Sequence, residues 1–134
     1  MIATSDSPDS SVERQRTVLV VEDDVLERGP LAEYLRDAHF RVIEAANARE
    51  AVELLSSDTV VNIVFSDIRM PGGMDGLGLE RWIAEHRPTL PVLLTSGDHS
   101  IQMQHGLPRG RYYIGKPYIY RDVERRLRQL MEGT

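Results

Sequence analysis

The chain has 134 residues, no cysteine and a formal net charge of −5 at pH 7. A chain of this length suits one domain of ordinary size, which can bury a core without disulfides or a structural metal. The absence of cysteine excludes thiol nucleophiles, disulfides and zinc–thiolate sites. The acidic balance argues against a general nucleic-acid binder.

The composition of the two ends indicates how the domain is delimited. Residues 1–16 begin with a stretch rich in Ser, Asp and Pro and lack the apolar core of a secretory signal, so we expect a flexible arm. The domain is expected over residues 17–131, with a short tail over residues 132–134. No apolar run is long enough to span a membrane. The sequence therefore predicts a cytoplasmic protein without membrane insertion.

The first half of the domain alternates two strands with two helices. Residues 18–21 form an apolar, β-branched run, which is typical of a strand covered on both faces. Leu31 and Leu35 then share a helical face. Pro30 is expected in the first turn of that helix, where its missing N–H costs little. A strand follows at residues 40–43, and Asn47 and Glu50 have the spacing of a capping box at the start of a second helix.

The second half repeats the alternation. Residues 60–65 predict a third strand, and a stripe containing Leu79 and Trp82 predicts a helix that ends before Pro88, with Trp82 in the core. Strands at residues 91–94 and 112–114 flank residues 97–110, for which we expect only a short or irregular helix. The last helix has an apolar face and an arginine-rich face, which we expect to be solvated. Its arginines are Arg121, Arg125, Arg126 and Arg128.

This alternation predicts a doubly wound α/β domain with a parallel sheet and helices on both faces. In such sheets, ligands bind beyond the carboxyl ends of the strands. Polar residues stand at four of these ends: Glu22, Asp23, Asp24, Asp67, Thr95, Ser96 and Lys116. Asp24 also has the position of an N-cap for the first helix. We therefore expect the functional site at this edge.

The residue types at this edge suit phosphoryl chemistry. Clustered carboxylates raise each other's pKa unless a cation neutralises them, and hard oxygen ligands suit Mg²⁺. A carboxylate beside Mg²⁺ and a lysine can act as a nucleophile toward phosphorus. The metal and the ammonium would stabilise the charge on the transferring group. A hydroxyl of Ser96 or Thr95 would then bond a phosphoryl oxygen.

Four segments together carry a resemblance to a known family: "VLVVEDD", "SDIRMPGGMDG", "PVLLTSG" and "YYIGKPY". In this order they resemble the motifs of the receiver domain of two-component response regulators, and the match runs from about Thr17 to Met131. The resemblance implies a flavodoxin-like sheet of five parallel strands in the order 2-1-3-4-5. It also implies a phosphoryl-accepting signalling module rather than an enzyme, apart from slow self-dephosphorylation.

The resemblance implies a role for each site residue. Asp67 would accept the phosphoryl group and Lys116 would pair with Asp67 or with that group. Mg²⁺ would be held by Glu22, Asp23, Asp67 and the backbone carbonyl of Arg69. Ser96 would be the switch hydroxyl, with Thr95 as the alternative. Tyr113 would be the switch aromatic, with simple packing as its alternative role.

Two features depart from the family pattern. Asp67 and Gly76 are nine positions apart where the family usually has eight, and we expect Gly72 and Gly73 to absorb the additional residue in a wider loop. The short segment 97–110 replaces the fourth helix, which often forms part of the signalling face. This departure concerns signalling through that face and not phosphorylation itself.

Three functions compete at this point. A phosphohydrolase with an aspartyl intermediate would need a second Asp two residues after Asp67, but Arg69 stands there. A receiver fold that binds partners without phosphorylation is the main alternative to a phosphoryl acceptor. The resemblance favours a stand-alone receiver. Its partners would be a histidine kinase or histidine phosphotransfer protein and a downstream protein target, with no direct contact to nucleic acid.

Overall fold

A computed structural model describes residues 15–97 and 112–132. Five parallel strands form one sheet in the order β2-β1-β3-β4-β5. The strands are β1 (Thr17–Val21), β2 (Arg41–Ala45), β3 (Ile63–Asp67), β4 (Val92–Ser96) and β5 (Tyr113–Gly115). The predicted sheet and its strand order are confirmed. The predictions for residues 1–14 and 98–111, including the short helix, lie outside the described residues.

Four described helices cover the two faces of the sheet. They are α1 (Val25–Asp37), α2 (Ala48–Leu55), α3 (Gly76–His86) and α4 (Tyr120–Glu132). One core cluster joins α2 and α3 to the sheet, and the other joins α1 and α4 to the opposite face. β1, β3 and β4 are buried along their whole length, as expected for strands covered on both sides. None of the helices in the described residues could cross a membrane.

Two helix starts show how local sequence sets the ends of elements. Asn47 accepts a hydrogen bond from the Glu50 N–H at 2.9 Å, and the Glu50 side chain accepts one from Ala46 N–H at 2.8 Å. The capping pair is thus confirmed, with the return bond one residue earlier than the standard box. The expectation for Pro30 was wrong, because α1 begins at Val25 and Pro30 lies inside the helix. Pro30 is exposed, so its ring lies on the solvent side.

Two of the arginines on α4 are not simply solvated. Arg126 donates to the backbone carbonyl of Tyr113 at 2.9 Å. Arg128 donates to the Ala38 carbonyl at 2.8 Å, and its guanidinium carbon lies 4.5 Å from the centre of the Phe40 ring. Arg126 is half-buried, so the prediction of a solvated arginine face is wrong for this residue. Arg128 is exposed and agrees with the prediction, although its planar side chain also binds a carbonyl group and packs on a ring.

Trp82 lies at the margin of the core rather than inside it. It is half-buried and packs against the cluster beneath α2 and α3. Its ring stacks on His86, one helical turn later, with ring centroids 4.3 Å apart. The prediction of a core tryptophan is thus only partly right, since one side of the ring packs against an exposed histidine.

Candidate functional site

The carboxyl edge of the sheet brings the predicted acidic residues and the lysine together. Glu22 directly follows β1, Asp67 ends β3 and Lys116 directly follows β5. Because all five strands are parallel, their carboxyl ends lie on the same edge. The side chains of Glu22 and Asp67 are each only 9% exposed, and that of Lys116 is 20% exposed. The site is therefore a partly desolvated pocket of opposite charges.

One ammonium group serves three carboxylates in this pocket. Lys116 Nζ donates to Asp67 Oδ2 at 2.6 Å, to Glu27 Oε1 at 2.7 Å and to Glu22 Oε1 at 3.4 Å. Glu22, Glu27 and Asp67 each place a carboxylate oxygen within 4.8 Å of the others. Such a set of hard oxygen atoms is suited to a divalent cation.

The pocket perturbs its own titrating groups. Burial, together with the hydrogen bond and repulsion from Asp67, raises the pKa of Glu22 from 4.5 to about 8. The backbone N–H of Asp24 and the charge of Lys116 offset only part of this. Burial alone would lower the pKa of Lys116, but its hydrogen bonds to Asp67 and Glu27 outweigh burial and raise it. Lys116 is therefore cationic, and the site carries excess negative charge that an added cation would relieve.

The backbone around Asp67 is fixed from both sides. Arg69 N–H donates to Asp67 Oδ1 at 3.1 Å, which holds the carboxylate on the side facing Lys116 Nζ. Behind it, Gly76 N–H donates to the Ile68 carbonyl at 2.8 Å as α3 begins. A Cβ on Gly76 would clash with the Asp67 carbonyl oxygen and lie 2.7 Å from Ile68 Cα. A glycine is thus needed where α3 packs on the end of β3. In the intervening loop Gly72 has a φ of 108°, a conformation that suits glycine.

The structure places the predicted metal ligands unequally. Glu22 and Asp67 lie together, whereas Asp23 is exposed and is not one of the three clustered carboxylates. Its place in the cluster is taken by Glu27, which the sequence reasoning missed. Asp24 and Glu27 have capping-box spacing at the start of α1, which predicts only a bond from Asp24 N–H to the Glu27 side chain. What spacing could not reveal is that Glu27 turns to Lys116, 89 residues later.

The two candidate hydroxyls occupy different surroundings at the end of β4. Both residues are about 1% exposed. Ser96 adjoins the lysine and the candidate switch aromatic, because its backbone carbonyl accepts from Lys116 N–H at 3.0 Å and from the Tyr113 hydroxyl at 3.1 Å. Thr95 pairs in register with Asp67. Within residues 15–97 and 112–132, its Oγ1 is the buried side-chain oxygen or nitrogen that lacks a hydrogen-bond partner.

The family follows from comparison with known proteins. The model of the response regulator receiver domain matches residues 18–128. The chain belongs to this family. A solved structure of the NtrX receiver domain from Brucella abortus is 31% identical, has a TM-score of 0.78, and the alignment covers 87% of this chain and 99% of that one. A receiver protein from Sinorhizobium medicae, with a TM-score of 0.80 at 24% identity over 90% of this chain and 97% of that one, shares the fold.

Curated relatives are longer proteins. The C4-dicarboxylate transport transcriptional regulatory protein DctD of Rhizobium meliloti is 41% identical over 104 residues, which are 76% of this chain and 22% of DctD. The aerobic respiration control protein ArcA of Escherichia coli is 32% identical over 118 residues, 87% of this chain and 49% of ArcA. The chain thus spans about a fifth of one relative and half of the other.

Proposed function

We propose that Asp67 accepts a phosphoryl group from a phosphohistidine on a histidine kinase or a histidine phosphotransfer protein, with Mg²⁺ as cofactor. The observation that supports this most directly is the 2.6 Å contact between Asp67 Oδ2 and Lys116 Nζ, in a pocket where the Asp67 side chain is only 9% exposed. A buried carboxylate held beside an ammonium, with further oxygen ligands for a cation, has the parts that phosphoryl transfer needs.

The transfer uses this geometry in one displacement. A carboxylate oxygen of Asp67 forms a bond to phosphorus while the bond from phosphorus to the donor imidazole nitrogen breaks, and the imidazole leaves with that electron pair. Lys116 is placed to stabilise the negative charge on the transferring oxygens. Mg²⁺ held by Glu22, Asp23, Asp67 and the Arg69 carbonyl would supply the remaining positive charge.

The product is an acyl phosphate on Asp67 that is hydrolysed slowly. A fast phosphohydrolase would need a second acid–base residue two positions after the acceptor, and the exposed Arg69 occupies that position. The domain therefore signals by altered contacts with a downstream protein target rather than by turning over a substrate. The proposed function does not involve direct binding to nucleic acid.

Ser96 and Tyr113 lie between the acceptor Asp67 and helix α4. In the proposed switch, the Ser96 hydroxyl bonds a phosphoryl oxygen and the buried Tyr113 ring repacks in response. Tyr113 is 7% exposed and its hydroxyl already bonds the Ser96 carbonyl. Its own carbonyl accepts from Arg126 on α4. A rearrangement at Ser96 would thus be transmitted to α4 through two hydrogen bonds, one from the Tyr113 hydroxyl to the Ser96 carbonyl and one from Arg126 to the Tyr113 carbonyl.

Acetyl phosphate with Mg²⁺ tests the acceptor. Intact-mass spectrometry should show one base-labile phosphoryl adduct on the wild-type protein and none on Asp67→Asn. The matched control is Asp75→Asn, because Asp75 is an exposed N-cap carboxylate in the adjoining loop and Asn can also cap a helix. It should keep the adduct. An equal adduct on Asp67→Asn would contradict the assignment. A wild-type protein without any adduct would favour the alternative, a receiver fold that binds partners without phosphorylation.

A further inference from the structure

We propose that Glu27 is a positioning residue that holds Lys116 in the resting site and competes with the phosphoryl group for it. This inference rests on the proposed role of Asp67 as acceptor.

The hydrogen-bonding capacity of Lys116 sets up the competition. An ammonium has three donors, and Lys116 Nζ already faces Asp67, Glu27 and Glu22 at 2.6, 2.7 and 3.4 Å. A phosphoryl oxygen that binds Lys116 must therefore share or replace one of these carboxylates. The Glu27 contact is nearly as short as the Asp67 contact, so Glu27 competes with a phosphoryl oxygen for Lys116 Nζ.

Exposure identifies Glu27 as the partner that gives way. Its side chain is 43% exposed, whereas the side chains of Glu22 and Asp67 are 9% exposed. Water can solvate the Glu27 carboxylate when its bond to Lys116 breaks, so this bond costs least to release. Glu27 thus holds the ammonium beside Asp67 without trapping it.

A capping role does not account for Glu27. At the third position of α1, a Glu would ordinarily bond back to the N–H of the N-cap residue, here Asp24. That N–H instead donates to Glu22 Oε2 at 3.0 Å. Because Glu22 accepts the hydrogen bond from Asp24 N–H, the Glu27 side chain is available to bind Lys116.

The proposal predicts effects of opposite sign on the two ligands of the site. Replacing the Glu27 carboxylate removes one negative charge from the cluster, so Mg²⁺ should bind more weakly. It also leaves the charge of Lys116 less neutralised, so a phosphoryl analogue should bind more tightly. Because Glu27 is partly exposed, each effect should be about threefold to fivefold. A general loss of structure would weaken the binding of both Mg²⁺ and the phosphoryl analogue.

Two variants of Glu27 and one control on the same helix test this. Glu27→Gln removes the charge, while Glu27→Asp keeps the charge but shortens the side chain by one methylene and so breaks the 2.7 Å contact. Glu33→Gln removes the same charge from an exposed position on α1. The Kd for Mg²⁺ and the Kd for beryllofluoride at saturating Mg²⁺ are measured by calorimetry, with thermal unfolding as the check on folding.

The expected pattern is specific to each variant. Glu27→Gln should raise the Kd for Mg²⁺ and lower the Kd for beryllofluoride, Glu27→Asp should lower only the Kd for beryllofluoride, and Glu33→Gln should change neither. Wild-type beryllofluoride affinity in Glu27→Gln, or a shift of both constants in one direction, would overturn the Glu27 inference while leaving Asp67 as acceptor. A wild-type protein that binds no beryllofluoride would overturn both.

Discussion

The two ends of the sheet treat their polar groups in opposite ways. At the amino edge, Thr17 N–H donates to the Asn62 side chain at 2.8 Å, Asn62 N–H donates to the Thr17 carbonyl at 2.9 Å, and Arg41 N–H donates to the Arg16 carbonyl at 2.9 Å. Each donor there has its own neutral acceptor. At the carboxyl edge, three carboxylates share one ammonium, and the pKa of Glu22 is raised to about 8.

The difference shows which end of the sheet is built for stability and which for ligands. Paired neutral groups stabilise the amino edge whatever the pH or salt. Crowded carboxylates at the carboxyl edge destabilise the resting fold, and binding of a cation there would recover that free energy. Of the two edges, the carboxyl edge is therefore the one where we expect stability to respond to pH and Mg²⁺.

The largest effect on stability is expected at Gly76, where the backbone of α3 packs against the backbone at the end of β3. In Gly76→Ala the new methyl group would collide with the Asp67 carbonyl oxygen and lie 2.9 Å from its carbonyl carbon. Neither β3 nor the start of α3 can move without disturbing Asp67. We expect a loss of about 3 kcal/mol in the free energy of unfolding, together with loss of phosphorylation.

Gly73→Ala is the control for Gly76→Ala, because an added Cβ at Gly73 meets no atom within 4 Å. It should change the free energy of unfolding by less than about 0.5 kcal/mol. Urea denaturation measures both variants. Equal losses for the two would show that the close approach of α3 to Asp67 does not set the glycine requirement.

The second prediction uses the titration of Glu22 in the absence of Mg²⁺. Its folded pKa of about 8 lies above its ordinary value of 4.5, so the folded state binds a proton more tightly than the unfolded state does. This group therefore contributes stability at low pH, and the contribution is lost as pH rises from 4.5 to about 8. Because the site is partly open to water, we expect a loss of about 2 kcal/mol rather than the full value of the shift.

Glu22→Gln isolates this effect from other titrating groups, since Gln cannot ionise and can still accept from Asp24 N–H. The difference in unfolding free energy between wild type and Glu22→Gln should fall by about 2 kcal/mol from acid to mildly alkaline pH. Saturating Mg²⁺ should stabilise the wild type most at the alkaline end, where Glu22 is ionised, whereas the smaller stabilisation of the variant should not change over this pH range. A difference that stays constant with pH would show that the acidic cluster is not strained.

How much was predictable depends on the range of the interaction. The β-branched runs at β1 and β3 and the capping pair at Asn47 are local patterns, and the structure bears them out. The predicted strand ends, together with the rule that ligands bind at the carboxyl edge of a parallel sheet, were enough to place Asp67 and Lys116 on one edge. Glu27 was missed because its contact depends on a lysine 89 residues away and on Glu22 taking the capping bond.

Contacts of Arg126 and Arg128 were missed for the same reason. Their carbonyl acceptors lie on Tyr113 and Ala38, and the Ala38 carbonyl is 90 residues from Arg128. Helical periodicity shows which side of a helix is polar, but it does not show which polar side chains reach a neighbouring element. Pro30 reflects a different limit, because a proline on the exposed side of a helix is tolerated when packing on the other side holds the helix.

The smallest effect compares the hydroxyls of two buried side chains at the carboxyl ends of β3 and β4. Ser66 Oγ donates to the Asp67 carbonyl at 3.0 Å, whereas Thr95 Oγ1 has no partner among the described residues. Removing a satisfied buried hydroxyl loses a hydrogen bond, and removing an unsatisfied one relieves a desolvation cost. Ser66→Ala should thus destabilise the fold by about 1 kcal/mol, and Thr95→Val, which keeps the shape, should stabilise it by about 1 kcal/mol.

The same variants decide which hydroxyl serves the phosphoryl group. If Ser96 has that role, Ser96→Ala should slow phosphorylation by acetyl phosphate, and Thr95→Val should phosphorylate at the wild-type rate while being more stable. If Thr95→Val gains stability but loses phosphorylation, the Thr95 hydroxyl is the one that binds the phosphoryl oxygen. An unpaired buried hydroxyl in register with Asp67 would then be a feature of the carboxyl edge that costs stability until a ligand binds, as its crowded carboxylates do.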